Sequence, residues 1–268
     1  MNIFDSHCHL NDKAYHKDLE RVIENGRNAD VNAMMIVGIT EKTSRQAVEI
    51  AEAHEGCYAS VGIHPHDAKQ GSDQAVSALK ELAASPKVRA WGETGLDFNR
   101  MHSPAEVQEK WFARQIAAAG DLDLPLIFHE RDSEGRFLEL LRAHAPKNCR
   151  GVVHCFSGTP GEMQQYLEMG LYIGITGILT ISKRGQQLRD LAVRIPEDRL
   201  LVETDAPYLT PAPEKNTTRR NEPAFVRSVL FKLAEIRNTD PAHLARVTWE
   251  NTCRIFAIDA PRAPEKHS

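Results

Sequence analysis

Residues 5–9, Asp5-Ser6-His7-Cys8-His9, directly follow the short apolar segment Asn2-Ile3-Phe4. The apolar segment predicts a β-strand, and side chains two positions apart on a strand point to the same side. We therefore expect His7 and His9 to stand together at the carboxyl end of this strand, with Cys8 pointing the opposite way. Two adjacent imidazoles form half of a metal site, because neutral histidine is a common ligand of Zn, Mn and Fe. The alternative is a pair of polar side chains that make ordinary hydrogen bonds. Further metal-binding residues at the ends of later strands would favour the metal site over this alternative.

Strand-like and helix-like segments alternate along the rest of the sequence. The predicted strands cover residues 2–4, 33–37, 57–63, 88–91, 125–128, 151–153, 171–175 and 199–203. The predicted helices include residues 12–29 and 132–144, and another helix begins near a capping box formed by Ser103 and Glu106. Eight strand–helix units of this length predict an α/β protein with a (β/α)8 TIM barrel. A doubly wound open sheet is the rival fold, but no glycine-rich phosphate turn follows the first strand.

Length, composition and charge limit the class of protein. The 268 residues suit one large domain, expected at residues 1–258 with a frayed tail at 259–268, and the 41% of hydrophobic residues can fill its core. We expect a cytoplasmic protein without a signal peptide or membrane span, because no long apolar run is present and the five cysteines lack CxxC spacing. The net charge of −4 provides no global basic field, which argues against tight binding to nucleic acid.

Several of the predicted strands end in residue types that bind metals. In a barrel the active site is built at the carboxyl ends of the strands, so these side chains should converge. The expected ligands are four imidazoles and two carboxylates: His7, His9, Glu93, His129, His154 and Asp205. One zinc ion typically takes three protein ligands plus water, so this set predicts two ions rather than one.

Glu93 is the expected bridge between two ions that activate a water molecule for attack. Asp205 would bind one ion and also accept the proton of that water as a general base. The mixed nitrogen and oxygen donors leave the metal open, because Zn and Mn suit the imidazoles whereas Mg suits the carboxylates and waters.

Five sequence segments resemble motifs of the TatD family of metal-dependent deoxyribonucleases. They are Asp5-Ser6-His7-Cys8-His9-Leu10, Val61-Gly62-Ile63-His64-Pro65-His66, Gly92-Glu93-Thr94-Gly95-Leu96-Asp97, His154-Cys155-Phe156-Ser157-Gly158 and Glu203-Thr204-Asp205-Ala206-Pro207-Tyr208. The resemblance runs from Ile3 to about Ile258 and keeps the order and spacing of the motifs. It implies a TIM barrel of the metal-dependent, amidohydrolase-like type that cleaves phosphodiester bonds with two divalent ions, Mg or Mn for activity and Zn as an alternative.

A further segment, Arg219-Arg220-Asn221-Glu222-Pro223, is similar to one branch of this family. The implied activity of that branch is 3′→5′ exonuclease cleavage of single-stranded DNA and RNA, so a nucleic-acid strand is the expected partner of a monomeric enzyme. Two features depart from the pattern. Some members of the branch lack the paired histidines near the N-terminus, and the family often has a smaller residue at the position of Glu130.

The resemblance also implies roles for residues beyond the ligands. His64 would lie near the bound phosphate and protonate the leaving oxygen, or else His64 and His66 only bind loop backbone. Arg131 would grip a phosphate bidentately, unless it pairs with Asp132 or Glu134.

Other charged residues have two interpretations each. Arg219 and Arg220, with Lys183 and Arg184, would form a basic rim that follows the substrate backbone, or would be solvated loop charges. Asp97 would support Glu93 or cap a turn.

Two other functions fit parts of the sequence. A small-molecule amidohydrolase acting on a cyclic amide or lactone would use the same barrel and the same paired histidines. Such enzymes often bridge their metals with a carboxylated lysine on the fourth strand, where this chain has Glu93. A metal-binding scaffold without catalysis is the third hypothesis, and a broken ligand set would favour it.

Overall fold

The computed structural model describes residues 1–259 and contains one parallel eight-stranded sheet. The strands, β1 to β8, are Ile3–Cys8, Val31–Val37, Cys57–Val61, Val88–Asp97, Leu126–Arg131, Gly151–Val153, Tyr172–Ile175 and Leu200–Val202, and they follow one another in the sheet in this order. The α-helices, α1 to α10, are Leu19–Asn28, Glu41–Ala53, Asp73–Leu82, Ala105–Asp121, Arg136–His144, Pro160–Glu168, Gln186–Ala192, Ala212–Lys215, Val226–Arg237 and Pro241–Ile255. Strands and helices alternate as in a (β/α)8 barrel, which confirms the expected fold.

The amino end of the barrel is filled by apolar side chains. A cluster from the strands, including Phe4, Met35 and Ile127, packs against Trp249 and Phe256 of the C-terminal region. The rings of Phe4 and Trp249 lie 5.7 Å apart. Because this end is closed by hydrocarbon, the polar residues at the strand ends are left to form the opposite, carboxyl face.

The first and last strands meet at a seam that differs from the other strand pairs. Each consecutive pair from β1 to β8 forms a ladder, whereas Cys8 and Ala206 form a single bridge just beyond the end of β8. The carboxylate of the fully buried Asp5 strengthens the seam, accepting hydrogen bonds from the Thr204 backbone at 2.8 Å and from its hydroxyl at 2.6 Å.

The local predictions fail where side chains bind distant backbone. The helix predicted at 12–29 begins instead at Leu19, after a separate 3₁₀ turn at Lys13–Tyr15. Tyr15 is buried in this turn because its hydroxyl donates to the carbonyl of Asn221 at 2.5 Å. The expected capping box is also wrong: Ser103 donates to the carbonyl of His66 at 2.9 Å, and no side chain caps α4.

Two further expectations concern the C-terminal tail and membrane-spanning helices. The tail expected at 259–268 lies outside the described residues except for Asp259. Within residues 1–259, none of the helices combines the length and the hydrophobicity needed to cross a bilayer.

Candidate metal centre

His7 in β1 and His9 directly after it face each other, as the strand periodicity predicts. The Nε2 atoms of His7 and His9 lie 3.2 Å apart, and both rings are buried. Cys8 points the other way, where its thiol donates to the carbonyl of Met35 at 3.4 Å. The alternation of the strand therefore separates two imidazoles from the sulfur between them.

Glu93 lies at the centre of the cluster, near the middle of β4. Its Oε1 is 2.9 Å from Nδ1 of His129 and 3.2 Å from Nε2 of His154. Its Oε2 is 3.4 Å from Nε2 of His7 and 3.8 Å from Nε2 of His9. Each oxygen of one carboxylate thus faces a different group of imidazoles.

Asp205 reaches the same cluster from the turn after β8. Its Oδ1 is 3.3 Å from Nε2 of His9 and 3.8 Å from Nε2 of His7. The turn is braced by the fully buried Asn221, whose amide donates to the carbonyls of Thr204 at 2.9 Å and Tyr208 at 2.6 Å. Asp205 has a φ of +58°, so this brace holds a conformation that a non-glycine residue rarely adopts.

Outer hydrogen bonds fix which nitrogen His9 and His154 turn inward. Nδ1 of His9 is 3.2 Å from the carbonyl of Val37, which can only accept, so this nitrogen carries the hydrogen. Nδ1 of His154 likewise donates to Oε1 of the fully buried Glu203 at 3.1 Å. In both rings Nε2 is then the atom aimed at the centre, as in metal sites whose histidines are oriented by an outer acceptor.

Asp97 contacts and orients His129, and it does not support Glu93 as one interpretation expected. Its Oδ2 accepts from Nε2 of His129 at 3.1 Å and from Nε2 of His66 at 2.7 Å, which leaves Nδ1 of His129 facing Glu93. Its Oδ1 also accepts the backbone N–H groups of Asn99 and Arg100, so the carboxylate caps a turn as well.

The donor set fits divalent cations. Donor atoms of His7, His9 and Glu93 lie within 4.8 Å of one another, and so do those of Glu93, His129 and His154. Glu93 belongs to both groups, and all donors are imidazole nitrogens or carboxylate oxygens. The sequence-predicted ligands are therefore brought together in one place.

The charges of the cluster are strongly coupled. Burial opposes ionisation of Glu93, but the surrounding imidazoles outweigh it and hold the pKa of this carboxyl well below its usual range. Burial also opposes protonation of His154 and His129, yet nearby carboxylates raise both pKa values, that of His129 to about 8. Since metal ligands must be deprotonated, a cation that binds here displaces protons from these rings.

His64 adds an N–H group to the same centre. Burial lowers the pKa of His64 to about 4, so its ring is neutral near pH 7. The backbone N–H of His66 donates to Nδ1 of His64 at 3.0 Å, which places the remaining hydrogen on Nε2. This Nε2 lies 3.3 Å from Oε1 of Glu93.

A cavity of about 500 Å³ opens above the cluster, and the three expected phosphate-binding arginines are placed differently around it. Arg131 lines the cavity and forms no ion pair with any residue in the range 1–259, so the alternative pairing with Asp132 or Glu134 is not seen. Arg219 and Arg220 do not line the cavity.

The guanidinium of Arg220 is occupied by other partners. It forms two hydrogen bonds to Asp18, at 2.9 and 2.8 Å, and a third to the carbonyl of Ala14 at 2.8 Å. It also lies 5.1 Å from the ring centre of Tyr15. Arg219 is exposed. The expected basic rim is thus divided: Arg184 lines the cavity, whereas Arg220 ties the segment after β8 to the N-terminal turn.

Several site residues were not predicted from the sequence. The sequence places Glu203 only within its motif, although its position two residues before Asp205 indicates a shared face. Arg100, His102 and Tyr208 also line the cavity, but they lie in loops without periodicity that would predict their direction.

Comparison with known proteins agrees with this geometry. The chain matches the model of the family described as TatD related DNase over residues 4–257. The 3′-5′ ssDNA/RNA exonuclease TatD of Rahnella sp. (strain Y9602) is 42% identical over 263 residues, which cover 97% of this chain and 100% of the relative. The protein of the same name from Escherichia coli (strain K12) is 42% identical over 258 residues, covering 96% and 99%.

Solved structures show the same relationship. The crystal structure of a TatD homolog from Escherichia coli K12 has a TM-score of 0.88 and 28% identity, covering 96% of this chain and 98% of the other. An uncharacterized amidohydrolase from Saccharomyces cerevisiae shares the fold, with a TM-score of 0.81 and 21% identity. The family match over nearly the whole chain and the identity to full-length relatives show that this chain belongs to the TatD family.

Proposed function

We propose that this protein is a metal-dependent nuclease that removes nucleotides from the 3′ end of single-stranded DNA and RNA. The observation that carries the proposal is the position of Glu93, whose two oxygens face separate groups of imidazoles. Relatives that match along their whole length are named 3′-5′ ssDNA/RNA exonucleases, which supports the same substrate and polarity here.

Two divalent ions are the proposed cofactors, with Mg2+ or Mn2+ for activity and Zn2+ as the alternative. His7, His9 and Asp205 would hold one ion, His129 and His154 would hold the other, and Glu93 would contact both. Bound together, such ions lower the pKa of a water molecule and neutralise charge on a phosphate.

The protein's own residues have distinct tasks in this proposal. Asp205, at the edge of the cluster, accepts a proton from the attacking water. Because the ring of His64 is neutral, its Nε2–H stabilises the leaving oxygen by a hydrogen bond, and that oxygen takes its proton from solvent water. Arg131, on the cavity wall, contacts the phosphate that is cleaved, because its planar guanidinium matches two phosphate oxygens.

The amidohydrolase hypothesis is less well supported. The ligand that spans the cluster is Glu93, at the point of β4 where many amidohydrolases use a carboxylated lysine. The similarity to the yeast amidohydrolase, at 21% identity, concerns the fold alone. A scaffold without catalysis is also disfavoured because the ligand set is complete.

The experiment is an end-labelled cleavage assay. The metal-stripped protein is supplied with Mg2+, Mn2+ or Zn2+ and incubated with single-stranded DNA and RNA carrying a 5′ label. We expect a ladder of products shortened from the 3′ end, abolished by chelator and restored by metal. Intact strands combined with hydrolysis of a cyclic amide or lactone would overturn the proposal.

We further propose a single domain at residues 1–258, a monomer, and a cytoplasmic location. The single sheet with its continuous helical layer supports one domain. All five cysteines are free thiols, as is usual in a reducing compartment. Light scattering coupled to gel filtration tests the monomer, and cell fractionation tests the location.

A further inference from the structure

The walls of the cavity differ in chemistry on its two sides. Arg100, His102 and Arg131 line the side formed by the ends of β4 and β5. Tyr208 and Leu209 line the side that follows β8, and Arg184 lines the cavity from the segment between β7 and β8. Cationic groups therefore lie on both sides of the cavity, whereas the aromatic ring lies on one.

Tyr208 is both exposed and fixed in place. Its relative exposure is 52%, although it is a large aromatic residue. Its hydroxyl donates to Oδ2 of Asp12 at 3.3 Å, and its backbone carbonyl accepts from the buried Asn221 at 2.6 Å. Its ring centre lies 6.0 Å from that of His9, a proposed metal ligand. Among the described residues that line the cavity, it is the only phenylalanine, tyrosine or tryptophan.

We propose that Tyr208 is the stacking platform for one unpaired nucleobase of the substrate strand, next to the phosphate that is cleaved. The inference rests on the proposed nuclease function and names a subsite for it. A nucleic-acid strand offers anionic phosphates and flat bases, which match the cationic groups and the aromatic ring of the cavity. An aromatic ring accepts any base, because every base has a π-face, so this subsite would not select sequence.

The same arrangement selects single strands. A base inside a duplex is already stacked between neighbours and paired, and it reaches Tyr208 only after extrusion, which costs free energy. An unpaired terminal base has no such cost. Tyr208 therefore favours strands whose end is unpaired.

The test compares two oligonucleotides that differ only in the base of the 3′-terminal nucleotide, present in one and absent in the other. For Tyr208→Ala we expect KM for the complete strand to rise about 5- to 160-fold, the range for loss of one stacked base. KM for the abasic-ended strand should not change. Tyr208→Phe keeps the ring and should resemble the wild type on both strands. Phe231→Ala, which removes an exposed aromatic residue on α9, is the matched control.

Each outcome has a defined meaning. An equal loss on both strands would make Tyr208 a structural residue, and an unchanged KM on the complete strand would also overturn the inference. If the wild type leaves the abasic-ended strand intact, inhibition by a nucleoside monophosphate and by deoxyribose 5-phosphate supplies the same comparison. A wild-type enzyme that cleaves neither strand would instead refute the proposed function.

Discussion

Replacement of Asn221 by alanine tests how the turn that carries Asp205 is held. The buried amide donates to the carbonyls of Thr204 and Tyr208, and its oxygen accepts the N–H of Glu222 at 3.0 Å. Alanine removes all three hydrogen bonds and leaves buried polar groups without partners. At about 0.5–1.5 kcal/mol net for each hydrogen bond, the free energy of unfolding should fall by about 2–4 kcal/mol.

Urea denaturation followed by circular dichroism measures this loss. Asn216→Ala is the matched control, because Asn216 is exposed and its replacement should change the unfolding free energy by less than about 0.5 kcal/mol. Asn221→Asp keeps the acceptor but sets a buried oxygen against the two carbonyls in place of the donor, so it should recover none of the loss. The turnover number should also fall in Asn221→Ala, since Asp205 loses its support. A change no larger than that of the control would refute the reasoning.

The remaining predictions concern the proposed ligands and the arginines. Glu93→Ala and Asp205→Ala should keep a folded circular dichroism spectrum but lose nearly all nuclease turnover, and near-wild-type rates in either would remove the two-metal proposal. Arg131→Ala should lower kcat by roughly 100-fold with a smaller effect on KM, because charge builds on the cleaved phosphate; unchanged kcat would make Arg131 structural. Arg219→Ala should weaken oligonucleotide binding and reduce the slope of log binding constant against log salt concentration by about one. Arg220→Ala should lower Tm and leave that slope unchanged, because the guanidinium of Arg220 is already paired. The opposite pattern in the two arginine variants would restore Arg220 as a phosphate contact.

The convergence of ligands could be predicted because it depends on two general rules. Strand alternation puts His7 and His9 on one side, and a parallel barrel gathers all carboxyl strand ends at one face. The orienting residues do not follow from these rules. Glu203 binds a histidine that lies 49 positions earlier in the sequence, and Asp97 binds a histidine that lies 32 positions later. Both contacts depend on the register between strands.

Local failures have the same physical origin. Residues 12–18 have a helical pattern, but the hydroxyl of Tyr15 binds a carbonyl 206 residues away and a 3₁₀ turn forms instead. The charge of Arg220 is evident from the sequence, but its pairing with Asp18 is not, because Asp18 lies 202 residues earlier. Long-range partners thus decide both the shape of the N-terminal turn and which arginine remains available.

The proposed ions would stabilise the barrel at the seam between β1 and β8. His7 and His9 lie on one edge and Asp205 on the other, and a single backbone bridge joins these edges. An ion held from both sides would act as a cross-link, so its removal should loosen this seam before any other strand pair. Amide hydrogens of β1 and β8 should then exchange faster in the metal-stripped protein, while those between β4 and β5 stay protected. Catalytic ions would in this way determine where the barrel first opens.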